Sequence, residues 1–365
     1  MDNLVIGVSC GDVNGIGLEV ILKALALKQA APRHKIVLYA GTKVVAYHKN
    51  IISQENIQFH TVTSPAEAQA GRINILNCWQ DNININLGKI SDVGGKCAFQ
   101  SLERAAQDLK DGAIDALVTA PIHKKAMQLA DFPYAGHTEY LINVFQTKDA
   151  LMLMVSDALR IGLVTNHLPL RAVADSITKE AVLRKIRMLH ETLRVDFSIE
   201  KPTIAVLGLN PHAGDEGAIG SEEETLIRPA IEAAKEKDIF AFGPFPADGF
   251  FGSGAFRKYD GILAMYHDQG LVPFKALAFG GGVNYTAGLP GIRTSPDHGT
   301  AFDIAGKGEA DETSFIKALY LAIDIVHNRN EFVDMRANSL ERRKQKSLPV
   351  ENGADEEIVD QIPEE

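Results

Sequence analysis

Cysteine is scarce: Cys10, Cys78 and Cys97 are the three in 365 residues. Their spacing fits neither a disulfide framework nor a zinc ribbon, so they read as reduced thiols of a cytoplasmic protein. No run approaches the roughly 18 apolar residues that suggest a membrane-spanning helix. The opening Met1-Asp-Asn-Leu-Val-Ile-Gly-Val-Ser-Cys10 has no basic segment ahead of its short apolar run, so no signal peptide is expected. Basic excess is also lacking. With 37 Lys and Arg against 47 Asp and Glu, the net charge is −10. That balance argues against general nucleic-acid binding but leaves room for a local cationic pocket. There is no Gly-x-Gly-x-x-Gly, hence no Rossmann fingerprint, and no repeat of fixed period.

What remains is an ordinary globular composition, 45% hydrophobic and 23% charged, in a chain long enough for two connected lobes. Short apolar runs bounded by Gly, Asn, Asp or Pro predict strands at 4–9, 35–40, 73–77, 116–119, 203–209 and 261–266. A hairpin is predicted over 151–156 and 159–165. Helical patterns fall at 18–27, 96–109, 178–193, 223–235 and 312–327. The alternation indicates an α/β protein with a mixed, largely parallel sheet. Residues 1–335 are read as one two-lobed catalytic unit whose lobes interleave in sequence. Residues 336–365, with Glu-Arg-Arg-Lys-Gln-Lys at 341–346 and an acidic end, are read as a charged flexible tail.

Three histidines close three similar apolar runs: Ile161-Gly-Leu-Val-Thr-Asn-His167, Ile204-Ala-Val-Leu-Gly-Leu-Asn-Pro-His212 and Ile262-Leu-Ala-Met-Tyr-His267. Each is expected at the carboxyl end of a parallel strand, where open α/β sheets bind ligands. One such histidine is usually just a satisfied polar residue. Three in matching contexts, converging on one rim, point to a divalent metal site. The stretch from His267 to Lys307 is too polar and glycine-rich for simple core strands. It spreads Lys275, Asn284 and Arg293 along the chain, two cations and an amide suited to one anionic ligand. His298-Gly-Thr-Ala-Phe-Asp303-Ile-Ala-Gly-Lys-Gly308 is a glycine-rich loop whose carboxylate suits a ribose.

That loop resembles the adenosine-binding loop of the isopropylmalate and isocitrate dehydrogenase superfamily, which binds its dinucleotide without the Rossmann motif. The closer resemblance is to the 4-hydroxythreonine-4-phosphate dehydrogenase family of pyridoxal phosphate biosynthesis. It rests on Gly-His137-Thr138-Glu-Tyr-Leu, Thr-Asn-His167-Leu-Pro-Leu, Leu-Asn-Pro-His212-Ala-Gly-Asp-Glu-Gly, Gly-Pro-Phe-Pro-Ala-Asp248 and His267-Asp-Gln-Gly-Leu, and spans Gly11 to about residue 330.

The resemblance implies an isopropylmalate dehydrogenase-like fold, two α/β lobes with the active site in the cleft between them. It implies that His167, His212 and His267 hold a divalent metal at a homodimer interface, with zinc, magnesium, manganese, cobalt and nickel not separated. His137, Thr138, Lys275, Asn284 and Arg293 would contact a phosphorylated hydroxy-amino acid. Gly299, Thr300 and Asp303 would contact NAD. Asp248 and Lys275 are the candidates for the group that takes the hydroxyl proton. A phosphorylated sugar acid, threonate or erythronate phosphate, is the alternative substrate.

From the residues alone, Gly136-His137-Thr138 reads as a helix start capped by Thr138. Thr119-Ala-Pro121-Ile-His123-Lys124 reads equally as a helix opened by Pro121 or as a ligand contact. One departure from the family stands out. Where the family has Gly-Asp-Pro-Ala-Gly-Ile-Gly-Pro-Glu, this chain has Gly11-Asp-Val-Asn14-Gly-Ile-Gly-Leu18-Glu19. Losing both prolines is expected to loosen that loop.

Overall fold

Val, Ile and Leu fill the short runs of this chain, and β-branched side chains favour the pleated, two-sided burial these runs adopt. The computed structural model describes residues 3–27, 33–52, 57–80, 82–278 and 280–338. The first part comprises β1 (Val5–Ser9), α1 (Gly17–Ala26), β2 (Lys35–Ala40), α2 (Thr42–Ile51), β3 (Phe59–Val62), β4 (Ile73–Asn77), α3 (Asp92–Lys110) and β5 (Ala116–Thr119). The middle adds α4 (Lys124–Leu129), α5 (His137–Phe145), β6 (Leu151–Val155), β7 (Arg160–Leu163), α6 (Val173–Ser176), α7 (Lys179–Val195), β8 (Thr203–Leu207) and α8 (Arg228–Lys235). The last part holds β9 (Phe240–Phe245), α9 (Ala247–Gly252), β10 (Gly261–Ala264), α10 (His267–Ala278), β11 (Val283–Ala287), β12 (Ile292–Pro296) and α11 (Thr313–Ala337).

All twelve strands join one sheet in the order β3-β4-β2-β1-β5-β12-β11-β6-β7-β10-β8-β9. Both flanks are parallel, and the β12-β11-β6-β7 centre is antiparallel. The predicted hairpin is the β6–β7 pair. This is the expected mixed α/β architecture, and β12 returns from late in the chain to pair with β5. Helix α3 packs on β1, β2 and β5, while α11 packs on β12, β5 and β11.

Three local expectations fail. β11 and β12 lie within the stretch considered too polar for core strands, yet they sit at the centre of the sheet. Asn284, Thr286, Arg293 and Ser295 project to one face, as period-two alternation permits, while Thr294 on the other face donates its hydroxyl to the Ala318 carbonyl. The helix expected over 312–327 continues to Ala337, past the start of the presumed tail; that tail beyond residue 338 lies outside the described residues. The loop without prolines is heavily tied. Asn14 donates to Ser91 Oγ at 2.9 Å, its Oδ1 accepts the Asn86 N–H at 2.8 Å, and its N–H donates to Asp12 Oδ1 at 2.9 Å. Its carbonyl accepts the Gly88 N–H at 2.8 Å. Hydrogen bonding replaces ring rigidity. Ser91 in turn caps α3 through the Gly94 N–H. One residue on, a Cβ at Gly95 would collide with the Ala126 carbonyl, so the close α3–α4 approach requires glycine there.

His48 anchors the same loop, its buried Nε2 donating to the Val13 carbonyl at 2.9 Å. Burial pulls this imidazole down to about 4. The unfolded chain therefore binds a proton here at a higher pH than the folded one, and stability falls as pH drops from about 6.5 towards 4. That window corresponds to roughly 3 kcal/mol. Urea unfolding of wild type and His48→Gln at neutral and acidic pH should show a smaller acid-induced loss in the variant. Parallel losses would remove His48 as the cause. Among the described residues no helix is long and apolar enough to cross a membrane.

Candidate active site

The centre of the sheet presents a polar face. In register, Asn284 of β11 lies opposite Ser295 of β12 and Met154 of β6, so the three side chains share one side. Period two adds Arg293, Thr286 and Met152 to that side, and Arg293 stands opposite Leu117 of β5, two residues before Thr119. Over this face lies a cavity of about 230 Å³. Its walls include Lys124, His137, Thr138 and Glu139 at the start of α5, His167 after β7, Lys275 of α10, and His298 and Gly299.

Arg293 forms the floor. It is 3% exposed; its Nε and Nη2 donate to Thr119 Oγ1 at 3.0 and 2.6 Å, and its Nη1 to Thr286 Oγ1 at 3.0 Å. Five N–H donors make these three bonds and leave two free. No carboxylate among the described residues forms an ion pair with it. Burial lowers it to about 10, and Glu139 opposes the shift. A buried cation without a bonded counter-ion costs several kcal/mol, which an anionic ligand can offset. His137 reinforces that reading. Burial, and then the Arg293 charge, hold it well below the usual imidazole range, so it is a neutral ring, and its Nε2 has no partner. Asn284 Oδ1 and His298 Nε2, of residues on the same cavity wall, are likewise buried and unpartnered. Orphaned polar atoms around one cavity mark a ligand site, because each would otherwise cost about 1–3 kcal/mol.

The three strand-end histidines do follow β7, β8 and β10, but one chain brings only two of them together. The rings of His167 and His267 are 5.8 Å apart between centroids. Burial, and then Lys124, favour the neutral form of His167, the form that ligates metal. His267 Nδ1 meets Asp268 Oδ1 at 2.7 Å, which leaves Nε2 as the free nitrogen. His212 stands apart with Asp248, Tyr266 and Asp268 around a second cavity of about 630 Å³. Its loop is left-handed from His212 to Glu216, with φ 54° at His212. Among the described residues no three His, Cys, Asp or Glu side chains gather as a metal-holding group. Two imidazoles held together and a third lining another cavity are of the donor type that a divalent metal takes.

Lys275 and Asp248 fall in different cavities, the first beside Arg293 and the second beside His212. Of the cofactor candidates, Gly299 lines the Arg293 cavity, and Thr300 accepts the Ile16 N–H at 3.1 Å. Asp303 is exposed on the same loop, next to Phe302, whose ring stacks on His123 at 4.9 Å. An exposed carboxylate on a loop anchored to the α1 turn is compatible with holding a ribose. Two helix starts differ from expectation. α5 is capped by Gly136 without a side-chain bond, so Thr138 is free to face the cavity. α4 is capped by His123, whose Nδ1 accepts the Ala126 N–H at 3.4 Å, and not by Pro121.

The model of the family described as "Pyridoxal phosphate biosynthetic protein PdxA" matches residues 33–322. The chain belongs to the PdxA family. A 4-hydroxythreonine-4-phosphate dehydrogenase of Bacteroides thetaiotaomicron is 46% identical over 339 residues, 93% of either chain. A relative from Oceanobacillus iheyensis, provisionally named D-threonate 4-phosphate dehydrogenase, is 38% identical over 88% of this chain and 97% of its own. The crystal structure of the Klebsiella pneumoniae 4-hydroxythreonine-4-phosphate dehydrogenase superposes with a TM-score of 0.78 at 35% identity, covering 89% of this chain and 98% of that one.

For this PdxA-family chain, sequence reasoning missed Thr119 and Thr286, which orient Arg293, and Glu139, the carboxylate nearest in effect to that guanidinium. The alternation Ile292-Arg-Thr-Ser-Pro296 was the available signal: every second residue faces the cavity once the segment is read as a strand.

Proposed function

We propose that this chain catalyses NAD-dependent oxidation of the secondary alcohol of 4-phosphooxy-L-threonine, followed by decarboxylation to 3-amino-2-oxopropyl phosphate in pyridoxal phosphate biosynthesis. The observation that carries this reading is Arg293: a buried guanidinium with two free N–H groups, in a cavity that also holds Lys275, His137, Thr138 and Asn284. Cations and donors in that number suit a substrate bearing both phosphate and carboxylate. The names of the relatives and of the matching family agree with it.

His167, His212 and His267 would hold the divalent metal, and Gly299, Thr300 and Asp303 the dinucleotide. When bound, these groups supply charge stabilisation at the oxidised oxygen and a hydride acceptor. The chain's own residues do the rest. Arg293 and Lys275 fix the anionic ends of the substrate; His137, neutral at working pH, and Asn284 supply polar contacts at the same face. Lys275 on the Arg293 cavity and Asp248 beside His212 are the two candidates for taking the hydroxyl proton. Asp303 beside the ribose would disfavour a 2′-phosphorylated cofactor by charge repulsion.

A homodimer completes the site. Leu168 and Leu170, 44% and 73% exposed, follow His167, and Val272, 65% exposed, lines the His212 cavity, giving apolar surface beside the histidines that a second copy would bury. The provisionally named threonate relative favours one alternative, a phosphorylated sugar acid. NADH formation in the near ultraviolet decides between them, with 4-phosphooxy-L-threonine, D-threonate 4-phosphate and D-erythronate 4-phosphate run in parallel, with and without chelator. Turnover of the amino acid, abolished by chelator, is expected. Preference for a sugar acid would move the enzyme to that substrate, and turnover that survives chelation would remove the metal.

A further inference from the structure

β7, β10 and β8 lie side by side in that order, and each is followed by one of the three histidines. Each histidine stands two residues beyond a backbone position that a side chain holds in place. After β7, Thr165 donates from both its N–H and its Oγ1 to the Met265 carbonyl, at 3.1 and 2.8 Å; His167 follows two residues later. Met265 in turn donates its N–H to Gln269 Oε1 at 2.7 Å, and His267 lies two residues beyond it. The other end of that amide, Nε2, donates to the Gly208 carbonyl just beyond β8, at 2.6 Å.

From Gly208 onward the holding group is Glu223. Its Oε1 accepts the N–H of Leu209 and of Asn210, both at 2.7 Å, and its Oε2 accepts Asn210 Nδ2 at 2.9 Å. His212 lies two residues beyond Asn210. Glu223 is 1% exposed, sits on a single π-helical turn (Glu223–Ile227) and makes no ion pair among the described residues. The loop is wrapped around its carboxylate: a Cβ on Gly214 would lie 2.7 Å from Oε2.

A buried carboxylate satisfied only by N–H donors, and an amide bridging two strand exits, are costly ways merely to hold a sheet together, since well-packed apolar side chains do that with no desolvation penalty. What the polar groups add is direction, because a hydrogen bond fixes angle and register where an apolar contact does not. We infer that Thr165, Gln269 and Glu223 are positioning residues for the divalent-metal site. They set the three imidazole-bearing loops on the shared edge of β7, β10 and β8, so that each chain presents its ligands in one arrangement, whichever copy completes the site. This rests on the reading of His167, His212 and His267 as ligands.

The test is Co(II) titration of full-length, metal-stripped protein, beside thermal unfolding of the metal-free form. Thr165→Val and Gln269→Leu should weaken Co(II) binding about 10- to 100-fold, the range typical of groups that orient metal ligands, and excess Co(II) should restore kcat. Thr165→Ser, which keeps the hydroxyl, should bind as wild type does. Wild-type Co(II) affinity in both Thr165→Val and Gln269→Leu would overturn the inference, even with a lowered Tm. Glu223→Gln sets an amide N–H against N–H donors and should show the largest loss; if it does not fold, the other two variants still decide. His212→Ala separates the two levels of argument. If it loses Co(II) while the positioning variants keep it, the metal reading stands and the positioning role falls. If it too binds normally, the ligand reading falls, and with it the inference.

Discussion

His212→Ala should strip the metal and lower kcat/KM by roughly three orders of magnitude, about 4 kcal/mol of transition-state stabilisation. The expectation follows from how this residue is held. Its ring is exposed and contributes little to the core, so the loss should be functional and not structural. Its backbone is left-handed at φ 54° within a run of such residues, a geometry that Glu223 supports from beneath through Leu209 and Asn210. Histidine favours that backbone more than alanine does, but Ala213 beside it already holds φ 52°, so the loop should survive the change. Metal content after dialysis and steady-state rate with excess metal are the readouts. Full activity in chelator, or an unchanged rate, would sink the role.

Arg293→Met is the second large effect, and it has opposite signs on binding and on stability. kcat/KM should fall about 100- to 1,000-fold, because truncating a buried charge that pairs with a ligand anion typically costs about 2–5 kcal/mol. The ligand-free protein should be as stable as wild type or more so, because an uncompensated buried guanidinium is replaced by apolar volume of similar length. Arg293→Lys should be nearly as inactive. Its single ammonium cannot serve Thr119, Thr286 and a ligand in the directions that the planar group does. Kinetics and chemical denaturation on the same samples check both signs. A lowered stability with unchanged kcat/KM would make Arg293 a structural residue.

Much of the scaffold is legible from apolar periodicity. The strands at Lys35–Ala40, Ile73–Asn77 and Ala116–Thr119 fall where the pattern puts them, and the antiparallel turn-back of β6 and β7 is also readable. β11 and β12 are not, although they lie at the centre of the sheet. A strand with one face in the core and the other lining a polar cavity carries Asn284, Thr286, Arg293 and Ser295, and such composition mimics a loop. β9 was missed for a related reason: its run Phe-Ala-Phe-Gly-Pro-Phe contains Gly and Pro, which an edge strand tolerates. Asn14 shows the limit of comparing local motifs. Losing prolines suggests a looser turn, but the compensation comes from Asn86, Gly88 and Ser91, more than 70 residues away in the chain.

Residue type and local pattern by themselves determined the α/β class and the place of three histidines after strands, and they singled out Lys275, Asn284 and Arg293 as the set proposed to hold an anion, because each depends on neighbours in sequence. Only the tertiary structure decided that Arg293 is buried without a counter-ion, that His212 stands in a different cavity from His167, and that Thr165, Gln269 and Glu223 hold the histidine loops. Burial and hydrogen-bond partners are set by which distant segments meet across the sheet, and that pairing has no local signature.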